Sequence, residues 1–112
     1  MPNESRSIDT TFSALADPTR RAVVQALSDG PASVSELARP FAMALPSFTQ
    51  HLGVLERAGL VTSTKQGRVR TYRIARKALE VVDTWLAEQR RHWEQKLDQL
   101  DALLLTMNTE PT

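Results

Sequence analysis

The sequence predicts a mainly α-helical fold with one small β-hairpin: four short helices, two strands and then a long fifth helix. Three observations carry this expectation. Helix start and stop signals recur through the first half of the chain. Residues 58–74 read AGLVTSTKQGRVRTYRI, two β-rich runs that meet at Gln66-Gly67. No proline or glycine interrupts residues 78–107. A chain of 112 residues suffices for one domain with a real core and leaves little for a second, so we expect a single domain over residues 1–112. Its core should lie within about residues 9–77, followed by the long helix over about 78–107.

Met1–Ser7 is polar and expected to fray, and a first helix is expected over Asp9–Leu15. Asp17-Pro18 then reads as N-cap and first helical residue of a second helix. Val23, Val24 and Leu27 give it an inward stripe, and Gly30-Pro31 stops it. Ser33-Val34-Ser35-Glu36 has the form of a capping box and starts a third helix that should run to about Phe41. After the linker Ala42–Leu45, Pro46 sits where its missing amide hydrogen costs nothing. A fourth helix runs to about Ala58, where Gly59 caps it.

At 100° per residue, Leu45, Phe48, Leu52 and Leu55 share one face of the fourth helix. Pro46, Gln50 and Gly53 face away, flanked by Ser47 and Thr49. Beyond it, Val61, Thr62, Val69, Thr71, Tyr72 and Ile74 favour extended backbone, and Gly67 tolerates the positive φ of a hairpin tip. In the last helix Leu79, Val82, Leu86, Gln89, Trp93, Leu97, Leu100, Leu104 and Met107 recur in steps of three and four. Thirty helical residues span about 45 Å, more than a domain of this size needs, and a second copy of the helix is the economical cover for the surplus. Leu86, Trp93, Leu97, Leu100 and Leu104 are the expected homodimer seam. A ligand box lined by Trp85 and Trp93 is the sharper alternative, but aromatics at helical spacing more often form core or interface.

The net charge of +1 conceals a strong local bias. Residues 1–45 carry −1, residues 46–77 carry +6 and residues 78–112 carry −4. Such a concentrated excess suits a polyanion, with an acidic remainder that stays off it. The chain has no cysteine, so disulfides, thiolate metal sites and thiol redox switches drop out together. There is no charged leader before an apolar run and no apolar stretch near the roughly 18 residues a membrane span requires, so a cytoplasmic protein without membrane contact is expected. A Gly-rich phosphate loop, a nucleophile elbow and a paired His-Glu metal motif are all missing, which argues against an enzyme.

Two short helices joined by a tight connection and followed by a basic hairpin form a helix-turn-helix with a wing. Gln50 has the amide to pair bidentately with adenine, Ser47 and Thr49 can reach bases or phosphates, and Gly53 permits close approach. The expected DNA-contacting set is Pro46, Ser47, Thr49, Gln50 and His51 on the helix with Lys65, Arg68 and Arg70 on the wing. The competing expectation is a winged-helix module that binds a protein partner through its basic wing and long helix. Arg20 and Arg21 suit DNA backbone or surface ion pairs equally and are left out of the set.

Leu15-Ala16-Asp17-Pro18-Thr19-Arg20-Arg21, Ser35-Glu36-Leu37-Ala38, the run from Leu45 to Leu55, Ala58-Gly59-Leu60-Val61 and the Gly67-Arg68 tip follow one another in a specific order and spacing. By these motifs the chain, from Phe12 to about Leu104, resembles the ArsR family of bacterial winged-helix repressors. The resemblance implies a homodimer joined by first and last helices, with two recognition helices in successive major grooves of a near-palindromic operator. It departs from the founding pattern where metal sensors carry a Cys-x-Cys motif, because this chain has Ser33-Val34-Ser35-Glu36-Leu37 there. Serine hydroxyls are poor ligands for soft metals. Asp83 and His92, on the long helix where a second known site type lies, are nine residues apart and thus about 180° around the helix from each other. No metal or cofactor is therefore expected. A small-molecule effector bound at the dimer interface is compatible with the reading and invisible to the sequence.

Overall fold

The computed structural model describes the backbone of residues 3–108 and the side chains of residues 8–108. In chain order the elements are α1 (Asn3–Leu15), α2 (Pro18–Leu27), β1 (Ala32–Ser33), α3 (Val34–Ala38), α4 (Leu45–Arg57), β2 (Val61–Gln66), β3 (Val69–Ile74) and α5 (Arg76–Asn108). Helix α3, the turn over residues 39–44 and α4 form the helix-turn-helix, and β2 and β3 form the wing.

Each boundary has a local chemical cause. Asp17 is extended and its carboxylate accepts the Arg20 backbone N–H at 3.0 Å, while Pro18 opens α2. The Ser33 hydroxyl accepts the Glu36 amide at 3.2 Å, and the Glu36 carboxylate accepts the Ser33 amide at 2.9 Å, completing a reciprocal box at the start of α3. Helix α4 ends on Gly59 at φ 77°, with Gly59 N–H donating to Glu56 O and Leu60 N–H to Leu55 O, both at 3.0 Å. This pair of bonds satisfies two orphan carbonyls and turns the chain directly into β2.

Four departures from the expected elements stand out. Helix α1 begins at Asn3 rather than Asp9, and α3 stops at Ala38 rather than near Phe41. The expected two-stranded hairpin has a third strand, since β1 pairs antiparallel with β3 through Ala32↔Tyr72 and Ser33↔Thr71 in the order β1-β3-β2. Leu45, expected on the inward face of α4, is 55% exposed, because the helix has only just begun and no neighbouring element covers its first residue.

By its packing the chain divides between Val82 and Asp83. In the first unit, Phe48, Leu52 and Leu55 of α4 are fully buried with Val23, Leu27, Leu37, Leu60 and Tyr72, and the Phe41 and Phe48 rings lie 5.4 Å apart. The C-terminal carbonyls of α1 are taken up by guanidinium groups of α2: Arg20 Nε donates to Ala14 O at 2.7 Å and Arg21 Nη1 to Leu15 O at 2.8 Å. The second unit is the helical run from Asp83, in which Leu86, Trp93, Leu97, Leu100 and Leu104 are all exposed, as are Leu103, Leu105 and Met107. No helix among the described residues is long and apolar enough to cross a membrane.

Candidate nucleic-acid interface

Helix α4 has two faces because its apolar residues recur at the helical period. Phe48, Leu52 and Leu55 anchor one side in the core. Pro46, Ser47, Thr49 and Gln50 are thereby exposed together on the first turn and a half. Ser47 and Gln50 make no side-chain hydrogen bond within the described residues. Thr49 differs, since its hydroxyl donates to Pro46 O at 2.9 Å and leaves only lone pairs to offer outward. At Gly53 a built Cβ would come within 3.2 Å of Arg57 Nη1, a tight contact that the flexible end of that side chain can relieve.

His51, expected with this group, lies apart from it. Its side chain is 23% exposed, with Nδ1 3.0 Å from Arg20 Nη1 and 3.9 Å from Asp17 Oδ2. Residue 51 falls 100° beyond Gln50 around the helix, and that rotation carries it toward α2. Arg20 and Asp17 are the residues sequence reasoning did not connect to α4. The Asp17-Pro18 cap was legible, but a partner 31 positions along the chain leaves no local pattern. The Arg20 amide holds the Asp17 carboxyl below the ordinary carboxylate range, so it stays ionised beside His51 and Arg20.

The wing turns through Gly67 and Arg68, the two residues between the paired Gln66 and Val69. Gly67 has φ 62° and Arg68 has no positive φ, the pattern of a turn that needs glycine in its first position only. Arg68 therefore stands at the turn itself. Lys65 is exposed one pair back, opposite Arg70. Neither Lys65 nor Arg68 has a side-chain hydrogen bond or ion pair within the described residues. Arg70 does: its Nη1 donates to Ser63 Oγ at 2.8 Å, and Ser63 Oγ donates to Glu56 Oε2 at 3.0 Å. Through Ser63 the wing is tied to the last turn of α4. Of the three expected wing cations, two are free and one is engaged. Burial raises the Tyr72 phenol above its ordinary pKa, with the Glu56 carboxylate adding to the effect, so this ring stays neutral behind the wing.

The arrangement can present hydrogen-bonding side chains to base edges from a convex helix and positive charge to phosphates from a neighbouring hairpin. Residues 15–64 match a family described as a helix-turn-helix domain. The chain is 41% identical to the HTH-type transcriptional regulator Rv2034 of Mycobacterium tuberculosis over 82% of its own length and 83% of that protein's. It is 27% identical to the transcriptional repressor SdpR of Bacillus subtilis over 70% of its length and 88% of that protein's. Among solved structures it is similar to the ArsR family transcriptional regulator RHA00566, with 54% identity, a TM-score of 0.76 and coverage of 84% of this chain and 94% of that one. It also resembles a homodimeric winged helix-turn-helix DNA-binding domain, Mb0332 of Mycobacterium bovis, at 25% identity and a TM-score of 0.61, covering 80% of this chain and 84% of the other.

Proposed function

The chain belongs to the ArsR family of winged helix-turn-helix transcriptional regulators, and from that premise we propose that it is a repressor that occupies a near-palindromic operator as a homodimer. One observation carries the assignment of contacts: Ser47, Thr49 and Gln50 stand exposed on the outer face of a helix that buries Phe48, Leu52 and Leu55 on the other, with unpaired Lys65 and Arg68 on the adjoining wing. In this reading Gln50 and Ser47 read base edges, Thr49 accepts from a base amino group, and Lys65 and Arg68 neutralise phosphates. Pro46 packs its ring against the backbone at the groove's edge. Arg70 supports the wing through Ser63 and Glu56 and adds charge at longer range. The protein acts by binding alone, in the cytoplasm and on the nucleoid.

The homodimer follows from the apolar stripe of Leu86, Trp93, Leu97, Leu100 and Leu104, which a second copy of the same helix would cover, and from the homodimeric state of the Mb0332 domain. Two linked modules make the second half-site contact intramolecular, provided their separation matches about 34 Å, one turn of DNA.

The testing experiment is a gel shift against DNA upstream of the chain's own gene at increasing salt, with the parent protein and the Arg68→Ala variant. The parent should select one duplex over unrelated DNA. Arg68→Ala should weaken binding to all duplexes alike and reduce the salt slope by about one unit. An unchanged slope in a folded variant would remove Arg68 from the phosphate contacts, and binding to no DNA would favour the protein-interaction module.

A further inference from the structure

We infer that Arg20 and His51 form a positioning device that fixes the rotation of α4 about its own axis, and so decides which side chains meet the bases; this rests on the DNA-binding reading above. The Arg20 guanidinium reaches two other elements at once. Its Nε donates to Ala14 O at 2.7 Å and its Nη2 to Ser13 O at 3.3 Å, which holds the end of α1. Its Nη1 lies 3.0 Å from His51 Nδ1 in the middle of α4. Its own backbone N–H caps onto Asp17 at the start of α2. One side chain therefore ties the ends of α1 and α2 to the centre of the helix that carries Ser47 and Gln50.

The chemistry of this contact selects one protonation state. A guanidinium has only donors, so His51 Nδ1 must be the acceptor and the ring hydrogen of neutral His51 must sit on Nε2. A protonated ring would direct an Nδ1–H at the guanidinium, cation against cation. The available alternative for that hydrogen is Asp17 Oδ2, 3.9 Å away. The charged groups facing His51 are these two, Arg20 and Asp17, both from α2; α1 contributes backbone carbonyls through Arg20. A ring that carried its hydrogen on Nδ1 would turn from Arg20 to Asp17 and release α4 from the clamp. His51 adjoins Gln50 and lies one turn from Ser47, so any rotation at His51 is passed directly to both.

Loss of the clamp should erode preference among duplexes while leaving the general attraction to DNA in place. The measured quantity is the ratio of affinity for the tightest duplex recovered from randomised DNA to affinity for an unrelated duplex. His51→Ala should lower this ratio about tenfold with the parent's salt slope. His51→Asn offers Arg20 an amide oxygen close to the place of Nδ1 and should keep a high ratio. A His51→Ala protein that keeps the parent's ratio, or a His51→Asn protein that loses it as His51→Ala does, overturns the inference.

Should selection recover no preferred duplex, it is the DNA-binding reading that fails, and nitrogen NMR of the His51 ring still judges the clamp. Nδ1 should resonate as an acceptor nitrogen in the neutral parent, and the two neutral tautomers should exchange in Arg20→Met. The same ring signal in both proteins overturns the clamp without reference to DNA.

Discussion

Helix α4 and the run of α5 beyond Asp83 each leave one face uncovered, and the uncovered faces differ in kind. In α4, Phe48, Leu52 and Leu55 are spent on the core and the outward face carries Ser47, Thr49, Gln50 and Gly53. In the distal part of α5 the leucines are what is left over, with Trp93 66% exposed and Leu97 55% exposed. An open polar face asks for a partner rich in donors and acceptors, whereas an open apolar stripe asks for hydrophobic cover. Both faces follow the same 3.6-residue period; what distinguishes them is which half of the pattern the fold consumes.

The strongest way to break this comparison is to make the apolar stripe polar. Leu97→Glu or Leu100→Glu would place carboxylates against their symmetry mates and should cost several kcal/mol of association, on the order of the penalty for an unpaired buried charge. Sedimentation should then show a monomer, and operator affinity should fall steeply although no residue of α4 has changed. A variant that stays dimeric would place the interface elsewhere.

A smaller loss is expected on the polar face. Gln50→Ala should lose about 1 to 3 kcal/mol on the best duplex and relax preference at one position in each half-site. Equal loss on all duplexes would make Gln50 a phosphate contact instead.

Gly53→Ala sharpens the contrast because its two effects should have opposite signs. Alanine is the better helix former by about 1 kcal/mol, and the added methyl group meets only a movable guanidinium, so thermal stability should rise. If DNA approaches this face closely, affinity should fall in the same protein. Higher stability with unchanged affinity would show that the backbone stays clear of the groove.

The smallest effect concerns the start of the helix-turn-helix rather than either face. Backbone and side-chain donors of Ser33 hold the Glu36 carboxyl below its ordinary pKa, and the Arg20 amide does the same for Asp17. With folded pKa values depressed, both contributions are complete above the ordinary carboxylate range and are lost as pH falls through the folded values. Chemical denaturation should therefore show stability declining below about pH 4. Ser33→Ala should cost about 1 kcal/mol at neutral pH and shrink the acid-dependent part of the decline.

What could be read from the sequence was whatever is written locally. Asp17-Pro18, the Ser33–Glu36 box, Gly59 and Gly67 act within four residues of themselves, and each lies where its chemistry demands. The inward set Phe48, Leu52 and Leu55 was legible for the same reason, by periodicity. Strand β1 was not, because two residues carry no period and the partners that make Ala32 and Ser33 a strand, Tyr72 and Thr71, lie far along the chain. The proposed contact set was legible as an exposed face but not residue by residue. His51 and Arg70 look like their neighbours in sequence, and only Arg20 across 31 positions, and Ser63 across seven, set them apart.

The order β1-β3-β2 leaves the outer edge of β2 open along Val61–Gln66 among the described residues. A row of unpaired backbone groups is a template on which another chain can add a strand. In this protein the edge carries Lys65, with Arg70 paired opposite and Arg68 at the tip, so two wings approaching edge to edge meet like charges before their backbones can join. The cations proposed to hold DNA thus also set like charges between any two wings that meet along this edge. Neutralising Lys65, Arg68 and Arg70 together should cost colloidal stability as well as affinity, and light scattering should register self-association in the very variant designed only to release DNA.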